Sequence, residues 1–205
     1  MARAAPKGEW TFERLMKSAK KIVNPSGSRG KWRGASRNYT SSAARKHDRT
    51  IPFVGTKSVL FQFSHSGLTE DNKIHRIHLQ FFGLRVFRED QINTTALEAM
   101  VRGKNFFKAK HKGDTFFVEK PSVVTPVRVR CTCSDAFFRW NWYNFDHKAA
   151  FGSRPRKYQR KTRDAPPVNP GHEAGVCKHM INSLMAIESD GKIKPGTRSP
   201  KSLRV

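Results

Sequence analysis

Apolar positions along the chain switch between helical and alternating spacing, and the switches outline an α+β protein. In residues 10–23, WTFERLMKSAKKIV, the positions Phe12, Leu15, Met16, Ala19 and Ile22 recur at helical spacing, while Arg14, Lys17 and Lys21 fall elsewhere on the wheel. That predicts a short amphipathic helix, docked either on a partner or on its own domain. Residues 24–50 are rich in Gly, Ser and Arg with almost no apolar periodicity, which predicts a linker or an extended arm. Strand-like alternation begins near Val54. In SVLFQFSH, Val59, Phe61 and Phe63 alternate with Leu60, Gln62 and Ser64. In IHRIHLQFF, His75, Ile77, Leu79 and Phe81 share one face and Arg76, His78 and Gln80 the other. The polar SGLTEDNK between them is a turn and Gly83 a bend or bulge, so 56–88 is expected to form an antiparallel hairpin or meander.

The stretch NTTALEAMVRGK reads as a short helix, capped by Asn93 or Thr94, packing through Leu97, Met100 and Val101, and ended at Gly103. Two more strands are expected at 115–119 and 124–131. Then SDAFFRWNWYNFDHKAAF places Phe137, Phe138, Trp140, Trp142, Tyr143 and Phe145 within a few residues. A basic, Pro-rich loop follows. The last element, KHMINSLMAIES, sets Met180, Ile181, Leu184 and Ile187 on one helical stripe. No internal repeat is present.

Charge narrows the class. Among 205 residues, 40 Lys and Arg stand against 16 Asp and Glu, a formal charge of +24. Such a chain is drawn to polyanions or acidic protein surfaces, a profile of particle subunits and nucleic-acid-binding proteins rather than metabolic enzymes. The excess is concentrated in residues 1–50, in RPRKYQRKTR at 154–163 and in the tail 191–205, around a more apolar middle. No stretch approaches the roughly 20 apolar residues of a membrane span, and the first residues lack the apolar core of a secretory signal.

The candidate chemistry lies in two fragments. VRVRCTCSD carries Cys131 and Cys133; GVCKHM carries Cys177 and His179; the chain has three cysteines in all. CxC and CxH spacing with an odd cysteine count points to a metal site rather than a disulfide framework. Zn²⁺ takes four thiolate or imidazole ligands in a tetrahedron. Cys131 and Cys133 fall at a strand end, where a turn can aim both sulfurs at one point. Cys177 and His179 must fall at a helix start, because an i, i+2 pair in mid-helix points to nearly opposite faces. Arg128, Arg130 and Lys178 flank the site and could offset three thiolates. Four protein ligands close the coordination sphere, so the site is structural rather than catalytic. His172 and His147 are the alternatives to His179, and three buried or free thiols with a surface histidine are the alternative to a metal site. His47, His65, His75, His78 and His111 show no ligand or dyad spacing. No phosphate loop, nucleophile elbow, HExxH or paired-carboxylate motif is present.

C-x-C followed by C-x-H, with a strand before the first pair and a helix after the second, resembles the SWIM-type zinc finger. The resemblance covers about residues 113–188 and implies a ββα arrangement around one zinc held by Cys131, Cys133, Cys177 and His179, in a family thought to bind DNA or other proteins. The 43 residues between the pairs exceed the family's usual spacing, so 144–174 reads as an insertion. More loosely, CSDAFFRWNWYN and NPGHEAGVCKHM after a β-rich front are similar to SWIM-like virion proteins of tailed bacteriophages.

Together these readings predict a basic helix and arm at 1–50, a β-rich region with a short helix at 51–112, a zinc module at 113–190 and a basic tail at 191–205. The expected role is a non-enzymatic structural protein that staples neighbouring subunits in a large particle, with a phage virion as the setting. The other role is a nucleic-acid-binding protein of a cytoplasmic or nuclear particle. Arg154, Arg156, Lys157, Arg160, Lys161 and Arg163 would contact phosphates or acidic partners. Trp10, Phe12, Trp32, Trp140, Trp142 and Tyr143 would meet a partner; the aromatic run could equally pack the core or stack bases. Neither a membrane nor a small-molecule substrate is expected.

Overall fold

The structure is a computed structural model, and it describes residues 9–23, 45–66, 74–159, 169 and 171–194. Its architecture is α+β, with two antiparallel sheets and helices packed on a shared core. The elements are α1 (Phe12–Val23), β1 (Arg45–Phe53), β2 (Ser58–Ser66), β3 (Ile74–Phe81), β4 (Val86–Arg88), α2 (Thr94–Arg102), β5 (Phe106–His111), β6 (Asp114–Glu119), β7 (Val127–Cys131), α3 (Asn141–Asp146) and α4 (Lys178–Ser189).

The larger sheet has the order β1-β2-β3-β7 and the smaller β4-β6-β5. The expected hairpin is present in β2 and β3, where Phe61 pairs with Leu79 and Phe63 with Ile77, but residues 86–88, expected to continue it, form β4 and pair with β6 in the smaller sheet. Strand alternation then builds the core. Val59, Phe61, Phe63, Ile77, Leu79, Phe81, Val127 and Val129 all turn inward and are buried. Cys131 follows in the same inward row and pairs with Ile77, so the alternation that buries the valines also buries the first thiol.

Two strands escaped the apolar pattern. Residues 45–50, expected within the arm, belong to β1, where Thr50 pairs with Phe61 and Ile51 with Leu60. RKHDRTIPF carries few apolar residues, and its partner strand holds it in the sheet. β5 completes a second hairpin with β6. The two strands expected just before the cysteines do not pair with each other: β6 joins the smaller sheet and β7 joins β3. The pairing therefore differs from the ββα arrangement that the family resemblance implies.

α1 packs on its own domain. Phe12, Leu15, Met16 and Ala19 are buried in the common core. The Glu13 N–H donates to the Val123 carbonyl at 3.0 Å, and Val127 N–H to the Trp10 carbonyl at 2.8 Å. Burying a side chain the size of Phe12 or Leu15 stabilises by about 1.5–3 kcal/mol. α2 is capped as expected, by Asn93 Oδ1 accepting from the Ala96 N–H at 2.9 Å. The expected packing of Ile22, Leu97, Met100 and Val101 lies outside the described residues, as do 24–44 and 195–205. No helix among the described residues is long and apolar enough to cross a membrane.

Candidate metal centre

The aromatic run that follows Cys133 is helical. Residues Ala136–Trp140 form a π-helical turn that runs into α3. This segment joins the two halves of the site. Asn141 donates to the Cys131 carbonyl at 2.8 Å. Asn144 makes a reciprocal pair with Gly175: its amide donates to the Gly175 carbonyl at 2.9 Å, and its carbonyl accepts from the Gly175 N–H at 2.7 Å. The Trp140 ring lies directly on Gly175, where a Cβ would come within 2.5 Å of it. Asn169 adds a further tie, donating to the Arg139 and Glu173 carbonyls at 2.8 Å each.

The chain thereby arrives at α4 with Cys177 in extended conformation at the N-cap, φ −88° and ψ 168°. His179 is the second helical residue. The irregular backbone before the helix lets an i, i+2 pair converge, as the spacing requires. The ligand atoms of Cys131, Cys133, Cys177 and His179 lie within 4.8 Å of one another, and all four residues are buried. Cys131 Sγ and His179 Nδ1 are 3.9 Å apart. A tetrahedral Zn²⁺ with bonds of about 2.3 Å to sulfur and 2.0–2.1 Å to nitrogen separates its ligands by roughly 3.5–3.8 Å. The cluster is therefore compatible with a zinc site, its widest separation needing to contract by up to about 1 Å to hold the ion.

Backbone amides support the sulfurs. The Cys133 N–H donates to Cys131 Sγ at 3.5 Å and the Ala136 N–H to Cys133 Sγ at 3.3 Å. Without a metal the thiols share protons unequally. Hydrogen bonds from Cys131 and then Cys177 hold Cys133 well below the usual thiol range. Cys131 is pushed up, chiefly because its proton is held by Cys133, and burial pushes Cys177 up. A divalent cation bound here would remove that conflict by taking all three sulfurs as thiolates.

The flanking cations do not neutralise the site. Alternation turns Arg128 and Arg130 to the opposite face of β7 from Cys131, and Lys178 is exposed. Arg130 instead donates to the carbonyls of Phe151 and Ser153, at 3.3 and 2.9 Å. His147 and His172 lie elsewhere: His147 bonds the His172 carbonyl at 2.9 Å, and His172 stacks on Tyr143 with ring centres 5.0 Å apart. His179 is thus the histidine of the cluster. Two histidines given no role by spacing come close to it. His65 and His75 face each other across the β2–β3 hairpin, and their rings lie 4.7 and 5.1 Å from the His179 ring. Only strand register brings them there, so linear spacing carries no sign of it.

The expected contact residues divide. Phe12 and Trp140, assigned to a partner, are 0% and 1% exposed and belong to the chain's own core. Burial of their apolar rings under α1 and beside Gly175 leaves nothing for a partner to cover. Trp10 is half-buried against the same core and carries the Arg14 guanidinium 4.3 Å above its ring. Trp142 is half-buried, with the Arg154 guanidinium 4.3 Å and the Lys157 ammonium 5.4 Å from its ring centre. Arg154 also meets Asp146 at 3.3 Å. Arg156 is exposed beside them. Trp32, Arg160, Lys161 and Arg163 lie outside the described residues.

No family model, no characterised protein and no solved structure matches this chain. The class is therefore defined by fold and site alone: an α+β protein with a buried Cys₃His cluster that a metal ion can close.

Proposed function

We propose that the protein is a non-enzymatic structural component of a large particle, stabilised by one Zn²⁺ held by Cys131, Cys133, Cys177 and His179. The observation that carries this reading is the burial of four converging ligands within the main core. A tetrahedral ion there has no position left for water or substrate, which suits a structural role and not hydrolysis. The ion would tie β7 to α4, elements more than forty residues apart in sequence, and contribute folding energy on the order of 10 kcal/mol. The SWIM-type resemblance rests on ligand spacing and on the strand and helix that flank it. The high positive charge supports partners with acidic surfaces, and a tailed-phage virion is the setting we favour, in which the basic segments staple neighbouring subunits.

A second reading, nucleic-acid binding through the basic loop, is favoured by Arg154 and Lys157 standing over Trp142, a cationic and aromatic surface of the kind phosphates and bases accept. The test measures metal content of the purified protein, then challenges it with a zinc chelator. One equivalent of zinc, and loss of protease resistance when it is removed, supports the structural reading. A protein that purifies metal-free and equally protease-resistant refutes it. Duplex binding that survives moderate salt, and is lost on neutralising the basic residues between Arg154 and Arg163, would favour the second reading.

A further inference from the structure

The face of the larger sheet that turns away from the core is cationic. Strand register places Arg130, His78, Gln62 and Arg49 in one row across all four strands. Neighbouring strands lie about 4.8 Å apart, so the row spans about 14 Å. Arg128 and Gln80 begin the adjacent row, and Arg76 and Ser64 lie on the other side. Arg49, Arg76 and Arg128 are exposed. None of the four arginines has a carboxylate within ion-pairing distance among the described residues. Asp48, within β1 at the bulge next to Arg49, reaches this face and accepts from the Ser64 hydroxyl.

Flat rings accompany the charge. His78 stacks on Phe151 with centres 4.9 Å apart and planes 16° apart. The Arg128 guanidinium lies 4.9 Å over the Phe82 ring. Phe53, on the outward side of β1, is 38% exposed. The four-stranded face thus carries these guanidinium groups together with aromatic rings and amide side chains. A partner that supplies regularly spaced anions and flat apolar rings together matches both features. An acidic peptide without aromatic side chains supplies only the first.

We infer that the outward face of the β1-β2-β3-β7 sheet binds single-stranded nucleic acid, with Arg49, Arg76 and Arg128 on phosphates and Phe53 stacking a base. This surface meets the start of the 154–163 loop, where Arg130 holds the Ser153 carbonyl, but it does not involve the metal cluster, and it stands whether or not the cluster has a structural role. Contacts of this kind fix no base sequence, so binding is salt-dependent and tolerant of composition.

The test uses the full chain loaded with zinc and a fluorescent oligothymidine of about 12 nucleotides, titrated across salt concentrations. Arg49→Gln, Arg76→Gln and Arg128→Gln are combined in one variant; Arg130 is left because it holds two backbone carbonyls. Each phosphate contact to a single strand contributes about 0.7 to the slope of log affinity against log salt, so the triple variant loses about 2. Phe53→Ala weakens binding about tenfold with the slope unchanged. Arg154→Gln, Arg156→Gln and Lys157→Gln together reduce the slope by less than the sheet-face triple variant does. Metal content and circular dichroism, read on every variant, separate loss of the surface from loss of the fold. Should the triple variant not fold, photocrosslinking of iodouridine-substituted oligonucleotide to the parent decides: crosslinks at peptides containing Phe53, Phe82 or Phe151 support the assignment. Crosslinks confined to the 154–163 loop overturn it, as does a triple variant that binds like the parent, or displacement of the oligonucleotide by polyglutamate at equal charge.

Discussion

Gly175→Ala tests how the two halves of the metal cluster are held together. The added Cβ would stand 2.5 Å from Trp140 Cζ3, 2.6 Å from Cε3 and 3.1 Å from Cη2. Carbon atoms pack best at about 3.5–4.0 Å, so the loop or the ring must move by about 1 Å. The ring has little room to move, since Trp140 is 1% exposed. The loop is held as well, because both backbone polar groups of Gly175 are bonded to Asn144, at 2.7 and 2.9 Å. Overpacking costs about 1–3 kcal/mol, and straining the two hydrogen bonds about 1 kcal/mol each, for an expected loss of about 3–5 kcal/mol. Cys177 lies two residues downstream, so displacement of Gly175 also spoils ligand geometry. Zinc affinity should fall by about 10- to 100-fold, as when the support of a ligand is removed. Urea unfolding of the zinc-loaded protein reads the first effect and chelator competition the second. The reasoning also predicts a coupling: Trp140→Leu, which makes room, should reduce the cost of Gly175→Ala by about 1 kcal/mol or more in a double-mutant cycle. A Gly175→Ala protein within about 0.5 kcal/mol of the parent, or strictly additive effects in the cycle, would refute it.

Two further outcomes follow from the same geometry. Cys131→Ser should abolish stoichiometric zinc and expose the domain to limited proteolysis; full metal content in that variant, measured by mass spectrometry or atomic absorption, would remove Cys131 from the ligand set. His78 is held below its usual pKa by burial and then by Arg130 and Arg76. It therefore stays neutral in the fold at pH values where the unfolded chain's histidine has gained a proton. Its contribution is neutral above about pH 6.5 and turns destabilising as pH falls below that value, levelling off once the folded pKa is passed. His78→Gln should thus lose less stability than the parent between pH 8 and about pH 5. Identical pH profiles from urea unfolding would show that His78 does not carry this linkage.

Local pattern and spacing carry much of this protein. The i, i+1, i+4, i+7 stripe of Met180, Ile181, Leu184 and Ile187 marks α4, and the period-two rows through Val59–Phe63 and Ile77–Phe81 mark β2 and β3. Backbone periodicity writes these elements directly into the order of apolar residues. The cluster of Cys131, Cys133, Cys177 and His179 is legible for a related reason. CxC at a strand end and CxH at a helix start each define half a tetrahedron, and no cysteine is left over. Other features depend on partners distant in the chain. β1 reads as an arm until β2 pairs with it, and β6 and β7 are neighbours in sequence but belong to different sheets. The face of α1 was visible, but its target, the domain's own core, was not. Trp140 reads as an interface residue until Gly175 is brought beneath it, and His65 and His75 show no link to His179 until the hairpin register sets them beside it. The physical reason is common to all of these. Sequence determines which side chains share a face of one element, because that depends on a few consecutive torsions. Which faces then meet depends on burying the most apolar surface with every backbone group paired, a condition that only the whole chain can satisfy.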